Sequence, residues 1–196
     1  MPAKLIILRH GEKPKGRNSS LQLSRLGKAR AQALKDFLGE GGAKSLLGKH
    51  GPDAFYAITP HTVETAMPSA ESWNMPVTVY GTSAKASDRD TALDVRTQEA
   101  ARDVMTSKAK TIVMVWEHHH IASTTLDPNV TLRRLLNLEK VAPEEWPDDD
   151  FDSVWIARFS KHGKVKDFAI VPQHFHAKPA KRKAKGRKAK RKERGT

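Results

Sequence analysis

The sequence predicts an α/β domain of three layers, a mostly parallel central sheet between helices, followed by a basic C-terminal tail. Three observations carry this. Two runs, KLIILR at 4–9 and TIVMVW at 111–116, are apolar throughout their interiors. That is the pattern of strands buried on both faces. Segments with apolar residues at helical spacing separate the strand-like runs. Residues 153–160 and 165–171 alternate around Lys161-His162-Gly163-Lys164, which signals a hairpin. Strands alternating with helices form parallel sheets, and the hairpin adds antiparallel edge strands.

Each element has its own reason. The first strand, 4–9, stops at Arg9-His10-Gly11-Glu12. Residues 13–20 are rich in Lys, Gly, Asn and Ser and read as a loop. Ser24 is placed as the N-cap of a helix through about Leu38, because Leu26, Ala29, Ala33, Leu34 and Phe37 recur at helical spacing. Gly39, Gly41 and Gly42 end it, and 43–47 forms a short helical turn at most. Residues 53–59 (DAFYAIT) make a second strand, 62–73 a helix, and 77–80 a third short strand. Residues 81–90 are polar loop and 92–105 a helix. The fourth strand, 111–116, runs into Glu117-His118-His119-His120-Ile121, and a helical stretch lies near 130–138. Residues 146–152 (WPDDDFD) read as a solvated acidic turn. No internal repeat is visible.

At 196 residues, with hydrophobic residues at 38%, the chain fits one domain, 1–176, plus a tail, 177–196. The net charge of +13 is unevenly placed. The tail holds 11 Lys/Arg and one acid, Glu193, a net of +10, which leaves only +3 on residues 1–176. No residue of the tail is more apolar than alanine, so it has nothing to bury and is expected to be disordered. Such a segment neutralises phosphates and releases counterions, so nucleic acid or another polyanion is its expected partner. It has no aromatic residue to stack on bases. Cysteine is absent, which excludes disulfides, thiolate catalysis and Cys-based zinc sites. No secretory signal and no apolar stretch long enough to span a membrane are seen. The expected location is the cytoplasm.

In open α/β sheets ligands bind beyond the carboxyl ends of the strands. Arg9-His10, Thr59-Pro60-His61 and Glu117-His118 follow the first, second and fourth strands, so each of these ends carries a histidine. A neutral imidazole attacks phosphorus as a nucleophile. An adjacent arginine offers a planar fork for phosphate oxygens. A following glycine lets backbone approach an anion. Arg9-His10-Gly11 supplies all three.

LRHGEKP, with these companions, closely resembles the signature of the histidine phosphatase (phosphoglycerate mutase-like) superfamily. Leu23-Ser24 through Gly27, Ala31 and Leu34 is similar to the helix that follows its RHG. Residues 53–66, DAFYAITPHTVETA, resemble its strand and the start of its "T-A" helix. Residues 112–121, IVMVWEHHHI, resemble the strand that leads to its second catalytic histidine. A bacterial subgroup with RHGEKP early and WEH late is most similar, over about residues 4–160. The resemblance implies a phosphoglycerate mutase-like fold and hydrolysis of a phosphomonoester, on a small molecule or a phosphoprotein. It implies His10 as the nucleophile that becomes phosphohistidine, Arg9 and Gly11 on the phosphate, and His118 in the phosphate pocket. No metal or other cofactor is implied. Mutase activity is disfavoured: where mutases place an asparagine six residues past the histidine, this chain has Gly16, and the nearest asparagine is Asn18.

One departure stands out. The family places a second arginine four residues before the threonine of its T-A pair, and counting back from Thr65 gives His61. His61 lacks the bidentate fork. It serves as a weaker phosphate ligand, or Lys13 or Arg89 fills the gap, or activity is lost. Removing one charge-stabilising donor commonly costs a factor on the order of 100 to 1,000 in rate. Glu12, Asp88, Asp90 and Glu117 are the candidates for general acid. The alternative reading is a catalytically weakened phosphate-binding or scaffold module whose tail holds a polyanion. A metal site on Glu117 and His118–His120 is disfavoured, because adjacent histidines are expected to diverge. His119 and His120 are then helix-start or pocket-rim residues. His174 and His176 are expected in solvent, and Trp116, Trp146 and Trp155 in the core.

Overall fold

The computed structural model describes residues 1–15, 21–81 and 88–176, and for Arg89 the backbone alone. The tail, Gly16, Asn18, the Arg89 side chain and loop residues 82–87 lie outside the described residues. Six strands form one sheet in the order β3-β2-β4-β1-β5-β6. The strands are β1 Lys4–Arg9, β2 Ala54–Ala57, β3 Val77–Val79, β4 Thr111–Trp116, β5 Ser153–Phe159 and β6 Val165–Pro172. β3, β2, β4 and β1 run parallel, and the β5–β6 hairpin adds the antiparallel edge. β1 and β4 lie in the middle, which is why their sequences are apolar on both faces.

The helices follow their capping chemistry. α1 (Arg25–Ala33) starts at Ser24, whose hydroxyl accepts the Gly27 N–H at 3.0 Å. The helix expected through Leu38 is broken at Leu34, and α2 (Lys35–Leu38) continues after it. α3 (Pro60–Ser72) begins two residues before the expected Thr62. Pro60 takes the first turn, where its missing N–H costs nothing, and Thr59 and Thr62 cap each other reciprocally. α4 spans Arg89–Thr106. α5 (His118–Ile121) is a single turn, and the stretch expected near 130–138 is a 3-10 turn plus the short α6 (Leu132–Leu135).

Alternate residues of the central strands supply two cores. Ile6, Leu8, Val113 and Val115 pack with Leu34, Phe37, Ala66 and Ala70 of the α1–α3 side. Leu5, Ile7, Met114 and Trp116 pack with Ala100, Val104, Leu132, Trp146 and Trp155 on the other. The three tryptophans are core residues, as expected. No helix among the described residues is long and apolar enough to cross a membrane.

Candidate active site

The sheet register assembles the site. Arg9 pairs with Trp116 across the parallel β1–β4 ladder, so His10 and Glu117 leave the sheet side by side. On the far side of β4, Ala57 pairs with Val115, and the chain passes Ile58 into the first turn of α3, where His61 sits. The three strand ends therefore meet. The His10 ring centroid is 6.0 Å from that of His61 and 6.3 Å from that of His118.

His10 is 2% exposed. Its Nδ1 lies 2.7 Å from the Gly11 carbonyl, which requires the ring proton there and leaves the lone pair on Nε2. Nε2 is buried, is aligned for no hydrogen bond among the described residues, and stands 3.3 Å from Glu117 Oε2. Arg9 is buried with its guanidinium 3.9 Å over the Phe151 ring. Its Nη1 donates to the carbonyls of Pro147, Asp148 and Asp150 at 3.2, 2.7 and 3.3 Å. Its Nη2 lies 3.3 Å from His118 Nδ1, and its buried Nε has no partner among the described residues. Burial lowers the Arg9 pKa to about 10, still far above neutrality. Burial, then the Arg9 charge, lowers that of His118 to about 4. His118 is thus a neutral ring that accepts from Arg9 and donates through Nε2 to Asp148 at 2.7 Å.

Glu117 is held on every side. Thr59 Oγ1 donates to its Oε1 at 2.7 Å, and Lys13 Nζ to its Oε2 at 3.0 Å. Burial opposes its ionisation, and with no proton on His10 Nε2 it is the Lys13 ammonium and the Thr59 hydroxyl that favour the carboxylate and hold it ionised. Of the two general-acid candidates near the nucleophile, Glu117 therefore faces it, as a carboxylate. Glu12 is engaged elsewhere: Arg30 grips both its oxygens, at 2.7 and 3.1 Å. Arg30 also reaches Asp152 and Gln173, at 3.5 and 3.4 Å, so Glu12 ties the nucleophile loop to α1 and the C-terminal strand. Asp88 and Asp90 open α4 and make no bond to these residues among the described ones.

Three further findings refine the expectations. Gly11 gives its N–H to Thr65 Oγ1 at 2.9 Å, so that donor is not free for an anion. Its missing side chain serves packing instead, since a Cβ there would lie 2.9 Å from the Gly27 carbonyl oxygen. WPDDDFD is no idle turn. Its backbone carbonyls cradle Arg9, Phe151 stacks on Arg9, and Asp148 orients His118. Sequence carries no signal for this, because backbone carbonyls have no residue identity. Finally, His118 and His119 do not diverge. Their ring centroids are 4.1 Å apart and both Nε2 atoms reach Asp148 Oδ1, whereas His120 turns away to Asp94. Lys13, one of the two residues considered for the missing arginine, is at the site through Glu117.

Among the described residues, two clusters could hold a cation by spacing: His10, Glu117 and His118, and His118, His119 and Asp148. In the first, the Lys13 ammonium lies 3.0 Å from the shared carboxylate, so an anion suits the space better than a metal ion. By sequence, no family model and no curated protein matches the chain. Solved structures do. A mycobacterial glucosyl-3-phosphoglycerate phosphatase, Rv2419c, in complex with inorganic phosphate, matches with a TM-score of 0.50 and 15% identity, over 86% of this chain and 95% of that one. Mycobacterial hydrolase 1 matches with a TM-score of 0.50 and 16% identity, over 86% and 96%. The chain has the histidine phosphatase fold. The protein histidine phosphatase SixA, complexed with tungstate, is more distant, at a TM-score of 0.47 and 14% identity over 87% and 97%. At such identities the likeness speaks for the fold alone. Within the histidine phosphatase fold, the site described above lies at the carboxyl ends of β1 and β4.

Proposed function

We propose that the protein is a phosphatase that hydrolyses a phosphomonoester through a phosphohistidine on His10, without a metal. One observation carries this: Arg9 Nε and His10 Nε2 are adjacent in sequence, buried, and without hydrogen bonds among the described residues. Buried polar atoms are seldom left so, and an incoming phosphoryl group satisfies both kinds. His10 Nε2 attacks phosphorus as the ester P–O bond breaks. A dianion entering beside Glu117 raises that carboxyl's proton affinity, so Glu117 becomes able to protonate the leaving oxygen. Water then attacks the phosphohistidine, the P–N bond breaks, its proton returns to Glu117, and phosphate leaves. Arg9 and Lys13 carry the charge, with His61 at the position of the second family arginine. The test is a single turnover with a labelled phosphomonoester, quenched in alkali, where phosphohistidine survives. Label on the wild type and none on His10→Ala supports the reading. No label with any of several phosphomonoesters argues against it.

A second reading has its own observation. Three carbonyls occupy Arg9 Nη1, and a carboxylate stands beside His10 Nε2, which fits a phosphate-binding module with weak turnover. In either reading residues 177–196 would bind nucleic acid or another polyanion. This binding would fall steeply and linearly with log salt and vanish on removal of 177–196.

A further inference from the structure

The neighbouring histidines of α5 and the acidic segment after Pro147 are only partly used by the proposed phosphatase. His118 works at the phosphoryl site, but His119 makes no hydrogen bond to Arg9, His10 or Glu117. Its side chain is half exposed, yet its Nε2 comes to 3.0 Å from Asp148 Oδ1, the same oxygen that His118 Nε2 reaches at 2.7 Å. Two imidazole nitrogens from adjacent residues and a carboxylate oxygen thus converge at the mouth of the site, all within 4.8 Å of one another. Ligands at zinc bond lengths of about 2.0–2.2 Å in a tetrahedron stand roughly 3.3 Å apart, so a spread of a few tenths of an ångström admits an ion. The Asp148 side chain is 83% exposed, which leaves that movement and the entry path open. Asp149 and Asp150 follow it and add negative charge at the mouth.

From this geometry we infer that His118, His119 and Asp148 form a site for a borderline divalent cation such as Zn2+, and that its occupation inhibits the phosphoryl site. Imidazole and carboxylate ligands suit such ions. The proton bookkeeping gives the coupling. In the free protein His118 accepts from Arg9 at Nδ1 and carries its proton on Nε2. A metal takes the Nε2 lone pair, so the ring proton must sit on Nδ1. Nδ1 then faces the Arg9 Nη2–H donor and no longer accepts from it. His119 makes the same tautomer change with nothing at stake. Arg9 loses its side-chain partner, while the strap that cradles it through the Asp148 carbonyl is tied down by the Asp148 side chain.

The test titrates ZnCl2 into the untagged full chain by calorimetry, which needs no turnover. One ion per chain is expected, with affinity roughly tenfold or more weaker in His119→Ala and in Asp148→Asn. Co2+ in place of zinc should give the visible absorption of a four- or five-coordinate site. Zn2+ should also suppress phosphohistidine formation in the wild type, and at the same concentration spare His119→Ala, whose zinc-free activity is unchanged. Undiminished zinc affinity in His119→Ala, with loss in Glu117→Gln, would place the ion against His10 and overturn the inference. So would the absence of binding. Binding that behaves as expected in a protein without turnover would keep the metal site and remove the phosphatase reading alone.

Discussion

Replacing Glu117 by glutamine tests the electrostatics of the site most directly. The Glu117 carboxylate lies 3.3 Å from His10 Nε2, so an anion seated on that nitrogen comes within about 4 Å of it. At an effective dielectric constant near 20, two like unit charges at that distance repel by about 4 kcal/mol. Lys13, 3.0 Å from the same oxygen, cancels part of this. If it cancels about half, roughly 2 kcal/mol remains, which corresponds to ten- to thirtyfold in affinity. The neutral amide removes the repulsion and also frees the Lys13 ammonium for the anion. Glu117→Gln is therefore expected to bind sulfate, a dianion at all relevant pH, about ten to thirty times more tightly than the wild type. Calorimetry measures this. Turnover should move the other way, with alkyl phosphates slowed more than aryl phosphates, whose leaving groups need no proton. Weaker sulfate binding in Glu117→Gln would refute the reasoning, since it would make Glu117 a partner of the anion rather than its competitor.

Arg30→Met leaves the largely buried Glu12 carboxylate without its fork, and should cost about 3 kcal/mol, or roughly 6–12 °C in Tm. Arg30→Lys should lose less, and equal Tm values for wild type and Met variant would count against the tie. Gly27→Ala improves helix propensity by about 1 kcal/mol, yet its Cβ would meet the Glu12 carbonyl oxygen at 2.4 Å. The clash should win by about 1–3 kcal/mol in a urea melt, and a stabilised variant would contradict the close approach. The His118 ring should titrate near pH 4 by NMR. Between that value and the ordinary 6.5 the unfolded chain binds more protons than the native one, so stability from neutral His118 is complete above about pH 6.5 and is lost as pH falls toward 4. His118→Gln should flatten that part of the Tm–pH curve, and an unchanged slope would oppose the assignment.

Much of this protein is local and can be read along the chain. The double-faced burial of β1 and β4 shows in LIIL and TIVMVW, because a strand covered on both sides has no polar face to conserve its alternation. The cap at Ser24 and the hairpin at 161–164 are contacts within a few residues, so their chemistry is written in neighbouring letters. The rule for strand ends brings His10, His61 and His118 together, and the register of Arg9 opposite Trp116 agrees. What each group does at the site is another matter. Glu12 and Glu117 are equally plausible acids in sequence, but Arg30, eighteen positions away, takes one, and Thr59 and Lys13 deliver the other to His10. Arg9 is cradled by carbonyls some 140 residues on, and His118 and His119 converge because Asp148, about thirty residues on, accepts from both. The strands, their buried faces and the residues at their ends thus follow from neighbouring letters alone. The ionisation, tautomer and partners of those end residues come from the folded chain, because they depend on burial and on charges brought within a few ångströms by the order of strands in the sheet.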